Sequence, residues 1–333
     1  MTVHPHWLAA WRLLMVEPPR GHPVTPWRRL GMLLAVLSTV AASTAHAAEF
    51  SDDRGRRVVW QTPPARVVTL APSLTEIVYA VGGGARVVGA DTHSDHPPAA
   101  RALPRVGDAL RVDIERLLVL QPDLVLAWGS GNTGRELAQI EAAGVPVFSL
   151  EPRRLDDVPR ALERVGALLG LAAQGAQAAG SLRRELSELR SAHAARAPVS
   201  VFYQVWSRPL MTLNDQHLIA DVIQLCGGRN VFGALKPLVP ELSTESVLAA
   251  DPEVLLSARE TGPLAGGTAQ RAPGDAAFAL WAPHKGARAV QRGWMFTLPG
   301  DTISRQGPRI AVGARAMCAA LDEVRRERDG GPR

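Results

Sequence analysis

Asp113-Ile114-Glu115-Arg116-Leu117-Leu118 leads into Pro122-Asp123-Leu124-Val125-Leu126, and Thr244-Glu245-Ser246-Val247-Leu248 leads into Pro252-Glu253-Val254-Leu255-Leu256. Each copy places a Glu seven residues before a Pro, follows that Pro with an acid, and then enters an apolar stretch. Helix, Pro-acid, strand is the signature of an α/β unit. Its recurrence at a constant offset predicts two lobes of related topology. Open α/β sheets bind ligands beyond the carboxyl ends of their strands, so two such lobes facing each other predict a cleft.

Outward from these anchors the pattern repeats. Over residues 50–155, strands at Val67-Val68-Thr69-Leu70, Val87-Val88-Gly89, 123–127 and Val145-Pro146-Val147-Phe148 alternate with helical stretches. Ser73 and Glu76 stand three apart at the start of one of these helices, the spacing of a capping box. Residues 156–197 carry almost no β signal. Val158, Leu162, Val165, Leu168 and Leu169, then Leu182, Leu186 and Leu189, recur at helical spacing, which predicts a connecting helix interrupted near Gly170. Residues 198–326 return to α/β alternation and close on a helix from Pro308, leaving 327–333 as a disordered tail.

The chain has 333 residues, 46% hydrophobic and 21% charged, an ordinary globular composition for about two domains. Residues 1–47 stand apart. Trp27-Arg28-Arg29 precedes an apolar run from Leu30 to Ala42, and Ser43-Thr44-Ala45-His46-Ala47 ends in a small-x-small pattern. That is a secretory signal peptide; its apolar run is shorter than the roughly 20 residues of a spanning helix. Residues 1–26 read as an extension ahead of the signal, expected from a start codon upstream of the one used. Without residues 1–47 the chain keeps 33 basic and 31 acidic residues. No basic stripe interleaved with aromatics remains, which argues against nucleic acid. Two cysteines, Cys226 and Cys318, remain in an oxidising compartment. An even count invites a disulfide; two buried thiols are the alternative.

Catalytic constellations are missing. There is no Gly-x-Ser-x-Gly, and Gly129-Ser130-Gly131-Asn132 lacks the Lys of a phosphate loop. His93 and His96 flank Asp95, but two ligands do not make a metal site. Aromatic and loop residues instead gather where strands end: Pro72 and Ser73, Trp128 and Gly129, Trp206, and Asp301 to Arg305. Large flat side chains with few charges suit a large, partly apolar ligand.

Several segments carry a family resemblance: Arg66-Val67-Val68-Thr69-Leu70-Ala71-Pro72-Ser73-Leu74-Thr75-Glu76, Ser94-Asp95-His96-Pro97-Pro98, Ala127-Trp128 with Gly131-Asn132, Leu225-Cys226-Gly227-Gly228-Arg229-Asn230-Val231-Phe232, and Pro308-Arg309-Ile310. Over about residues 65–325 the chain resembles the cobalamin-binding periplasmic proteins of cobalamin ABC importers. These belong to a helical-backbone class that also serves haem and ferric siderophores. The resemblance implies two Rossmann-like α/β lobes joined by a long rigid helix, with cobalamin or a related corrinoid as transported ligand in the cleft and no catalytic cofactor. It implies a Cys226–Cys318 disulfide and a monomer that docks on permease subunits of the inner membrane. Trp128 takes the place of a ring-packing aromatic. His93 stands where the family has a ligand-contacting Tyr, with cobalt coordination as a further option. Asp301, Thr302, Ile303, Ser304 and Arg305 match the C-lobe contact loop. The family's aromatic pair after that Asp is replaced by Thr302 and Ile303, and Val239 replaces a Trp before Pro240; Trp206 is the expected compensation. For docking, Glu245 matches the C-lobe glutamate. The N-lobe position is read at Gly134, with Glu136 as its substitute.

Overall fold

The computed structural model describes residues 48–109, 111–259 and 267–330; the expected signal peptide, residues 1–47, lies outside them. Ala48–Ser51 (β1) and Arg57–Trp60 (β2) form an antiparallel hairpin that opens the described chain. The N-lobe then builds Val67–Thr69 (β3), Pro72–Ala80 (α1), Val87–Ala90 (β4), Ile114–Val119 (α2), Leu124–Trp128 (β5), Gly134–Ala142 (α3) and Val147–Leu150 (β6). Its sheet is wholly parallel, in the order β4-β3-β5-β6.

Asp157–Leu168 (α4) and Ala172–His193 (α5) form the connector, broken as expected at Gly170, whose φ is +66°. Helix α4 packs on α1, while α5 lies back along α4 and reaches the C-lobe. Gly166 and Gly175 meet where the two helices touch; a Cβ at Gly166 would come within 2.7 Å of the Gly175 Cα. Only glycine allows so close a backbone approach.

The C-lobe repeats the plan with Val199–Gln204 (β7), a small hairpin of Trp206–Ser207 (β8) and Leu210–Met211 (β9), Leu218–Leu225 (α6), Gly228–Asn230 (β10), Thr244–Ala250 (α7), Val254–Arg259 (β11), Gln270–Arg271 (β12), Arg288–Arg292 (α8), Met295–Pro299 (β13), Gly300–Ile303 (α9) and Ile310–Arg328 (α10). The sheet order is β10-β7-β11-β13-β12, parallel except for β12. Matching β3 to β7 and β5 to β11 superimposes the two orders, as the sequence repeat predicts. The acid after each Pro does the same work in both lobes. Asp123 accepts from the backbone N–H groups of Ala65 and Arg66 at 2.8 and 2.9 Å, just before β3. Glu253 accepts from the Ser200 N–H at 2.8 Å, at the start of β7.

Strands β3, β6, β7 and β13 are buried along their whole length, as parallel strands covered on both faces must be. One apolar cluster is continuous through both lobes: Leu74 and Ile77 of α1, Leu162 and Val165 of α4, Leu182 and Leu186 of α5, and Val222 and Leu321 of the C-lobe belong to it. Separate clusters fill the outer faces, around Leu117 in the N-lobe and around Phe202 and Trp281 in the C-lobe. The lobes thus share a core along their common helical side. Cys226, closing α6, is bonded to Cys318 in α10.

Two expectations are corrected. Helix α1 is capped by Ala71, with no side-chain hydrogen bond and Pro72 in its first turn, so Ser73 and Glu76 form no capping box. The last helix continues to Arg328, past the expected start of a tail at 327, because Arg328 donates to the Pro198 carbonyl at 3.0 Å and to Glu253 at 3.1 Å. Residues 331–333 lie outside the described chain.

Candidate functional site

The N-lobe presents three loops at the carboxyl edge of its sheet. After β3, Pro72 and Ser73 are half-buried at the start of α1. Thr75 ties this corner together through its hydroxyl, 2.7 Å from that of Thr69 and 2.8 Å from that of Ser94. After β4, the buried Asp91 accepts from the His93 N–H at 2.7 Å, and burial pushes its carboxyl up against that hydrogen bond. His93 itself is exposed on the rim.

After β5, Trp128 and Asn132 close a turn on each other: the Trp128 N–H donates to Asn132 Oδ1 at 2.7 Å, and the Asn132 N–H donates to the Trp128 carbonyl at 3.0 Å. The Trp128 indole packs directly on Gly131, where a Cβ would fall 1.8 Å from the ring. Gly129 lies against Glu151, whose carboxylate receives the Ser130 N–H at 2.5 Å and its hydroxyl at 2.9 Å. The glycines of this turn therefore answer to one indole and one carboxylate. The Trp128 Nε1 is buried with no partner in the described chain.

On the C-lobe, Trp206 follows β7 and is 48% exposed, with Val205, Leu235 and Leu238 also uncovered. Its Nε1 donates to the Arg208 carbonyl at 3.0 Å, which holds the ring at the tip of the β8–β9 hairpin. After β13, the contact loop divides. Asp301 and Ser304 are exposed, but Thr302 and Ile303 are only 6% and 1% exposed. The expectation that Thr302 and Ile303 face a ligand is corrected. The single turn of α9 rotates them inward, where Thr302 donates to the Pro299 carbonyl at 3.1 Å and Ile303 joins the shared core. Tyr203 is also buried, and burial pushes its phenol up.

Arg305 joins the lobes. Its Nη1 donates to Glu76 at 3.1 Å and to Asp95 at 2.6 Å; its Nη2 lies 3.1 Å from Asp301 and 3.4 Å from the His93 carbonyl. Arg309 grips Glu76 with two further bonds, at 2.9 and 2.6 Å. The Glu76 side chain is 1% exposed. A carboxylate of this burial requires its charged partners. No sequence pattern announced it, because its partners lie 229 and 233 residues away. A second tie between the lobes is made by Arg154, which pairs with Asp221 at 2.5 Å and donates to the Asp215 carbonyl at 2.8 Å. The two lobes are thus tied to each other at two places.

The candidate docking residues differ in their freedom. Glu136 is spent within the N-lobe: its carboxylate receives the Val112 N–H at 2.8 Å and the Thr133 hydroxyl at 2.9 Å, while Thr133 caps α3. Its carboxylate thus serves the N-lobe itself, whatever it meets outside. Glu245 is exposed in the first turn of α7, where the backbone and the Ser243 hydroxyl hold its carboxyl below the ordinary value. Its counterpart in the repeat is Glu115, exposed in the first turn of α2 behind the Asp113 cap. The spacing that disclosed the two lobes had marked this pair. A cavity of about 930 Å³ beside Ala197 and Arg325 lies at the opposite end of β7, and Arg325 there is already bonded to the carbonyls of Ala197, Cys226 and Gly227.

Comparison with known proteins runs across this whole arrangement. The vitamin B12-binding protein of Photorhabdus laumondii is 33% identical over 260 residues, 78% of this chain and 89% of that protein. That of Vibrio cholerae serotype O1 is 33% identical over 259 residues, 78% and 90% of the two chains. Among solved structures, the periplasmic vitamin B12 binding protein BtuF of Vibrio cholerae matches with a TM-score of 0.69 and 31% identity, over 79% of this chain and 98% of that one. The periplasmic heme-binding protein RhuT from Roseiflexus sp. RS-1 matches at 0.68 and 26% identity, over 78% and 98%. A family model for periplasmic binding proteins matches residues 67–302. That span begins at β3 and ends in α9, so it crosses the connector and takes in most of both lobes; the chain belongs to the periplasmic binding protein family.

Proposed function

We propose that this protein is a non-catalytic periplasmic carrier, exported by residues 1–47, that captures cobalamin or a related corrinoid between its lobes and delivers it as a monomer to an inner-membrane ABC importer. The observation that carries the reading is an indole just past a central strand in each lobe, Trp128 on the glycine turn that closes β5 and Trp206 on the hairpin that follows β7. Two aromatic surfaces suit a large flat ligand. The likeness to vitamin B12-binding proteins over most of the chain supports the corrinoid choice. Pro72, Ser73, Gly129, Ser304 and the exposed His93 complete the rim. Among the described residues, no helix is long and apolar enough to cross a membrane.

The test is a spectral titration of the purified protein with cyanocobalamin after desalting. Wild type retains the colour, and Trp206→Ala weakens binding by about tenfold, or ~1.4 kcal/mol. Retention of no cobalamin by wild type overturns the reading. Haem is the second reading, favoured by the exposed His93 and by the heme-binding neighbour. A haemin Soret shift present in wild type and lost in His93→Ala supports it. Coordination of cobalt by His93 is tested in the same way; identical cobalamin spectra in both proteins exclude it.

Docking falls to Glu245 and Glu115, the exposed pair of the repeat. In cells lacking the native carrier, Glu115→Arg with Glu245→Arg abolishes cobalamin uptake while binding in solution stays intact. Glu136→Gln keeps uptake. Undiminished uptake by the doubly reversed protein would falsify the assignment.

A further inference from the structure

Arg305 is a cation at the cleft rim whose terminal donors are already engaged. Glu76 and Asp95 take Nη1, and Asp301 and the His93 carbonyl take Nη2. With Arg309, the cluster holds two guanidiniums against the carboxylates of Glu76, Asp95 and Asp301, a formal charge of −1. The three acids are not alike. Glu76 is enclosed, whereas the Asp95 and Asp301 side chains are 46% and 53% exposed, one from each lobe. Burial pushes the Asp95 carboxyl up, but the hydrogen bond and charge of Arg305 more than reverse this and hold it below the ordinary carboxylate value.

An incoming carboxylate finds both terminal nitrogens of Arg305 already facing carboxylates. It would have to displace an aspartate already in place, and it meets a like charge from either lobe. A ligand edged with primary amides meets the reverse situation, because its N–H groups can donate to the exposed oxygens of Asp95 and Asp301. From this arrangement we infer that Asp95 and Asp301 are specificity-determining residues, which mask Arg305 and set the cleft against anionic ligands in favour of a neutral, amide-bearing one. The inference builds on the carrier reading above and extends it to ligand charge.

The experiment uses ligand pairs that differ only in charge: cyanocobalamin against its monocarboxylic acid, and haemin dimethyl ester against haemin. Affinities are measured by absorbance titration for wild type, Asp95→Asn and Asp95→Asn with Asp301→Asn, with thermal melts to verify folding. In wild type the neutral member of a pair binds at least tenfold tighter than its anionic twin. In the double variant that ratio falls toward one, through stronger binding of the anion, and Asp95→Asn lies between. An unchanged ratio overturns the proposal, as does equal weakening of both members or failure of both pairs to bind. If cobalamin does not bind while haemin and its ester do, the corrinoid reading fails and the haem pair still decides the charge question.

Discussion

Replacing both cysteines, Cys226→Ala with Cys318→Ala, is expected to lower unfolding free energy by about 4–5 kcal/mol. The bond joins residues 92 apart in sequence, so in the unfolded chain it closes a long loop and removes much conformational freedom. It also fastens α6 to α10, the two helices through which the C-lobe meets the shared core. For a chain of this size the loss corresponds to a melting temperature lower by about 10 °C. Urea unfolding of the oxidised protein beside the double variant checks the figure. A difference below about 1 kcal/mol would show that the bond adds little beyond the packing around it. The N-lobe sheet has no such bond among the described residues, so its hydrogen exchange should change less than that of β7 and β10.

Glu76→Ala is expected to cost about 3 kcal/mol, the scale of breaking a buried ion pair by removing one partner. The loss has two parts. Arg309 and Arg305 lose the carboxylate that satisfied them, and the corner between α1 and the 300–309 loop loses its bridge across the cleft. A double-mutant cycle with Arg309→Ala separates a true coupling from two independent defects. Coupling above about 1.5 kcal/mol is expected, and strict additivity would refute the pairing. Because Glu76 also positions Arg305, the variant should bind ligand more weakly even at temperatures where it remains folded.

The contrast between these residues explains what the sequence disclosed. The alternation of strands and helices was legible because parallel strands are apolar runs and their helices carry caps and periodicity, all local in the chain. The Pro-acid repeat was legible because it is a spacing. Glu76 was misread for the same reason: Ser73-x-x-Glu76 matches a local pattern, while the carboxylate answers to residues at the far end of the chain. The bond that Glu136 accepts from Val112 is invisible in its own helix, because Val112 lies on another loop. Thr302 and Ile303 stand in a stretch that reads as a loop, and only the turn of α9 decides which way each one faces. Trp128 was found correctly at its strand end, yet its intimacy with Gly131 could be stated only from geometry. Position in the fold was thus more readable than partnership, since partnership across the lobes depends on which distant loops the topology brings together.

The acids that follow Pro122 and Pro252 have a consequence of another kind. Where one face of a strand is wet, a slip of one residue exposes its apolar side and is rejected at once. Strands such as β3 and β7, buried on both faces, lack that safeguard, because a slipped strand still presents apolar groups everywhere. Asp123 and Glu253 supply it by other means. Each carboxylate fixes backbone N–H groups at the entry of the neighbouring strand to one position on its own. They work as alignment pins, holding the two central strand pairs in one register.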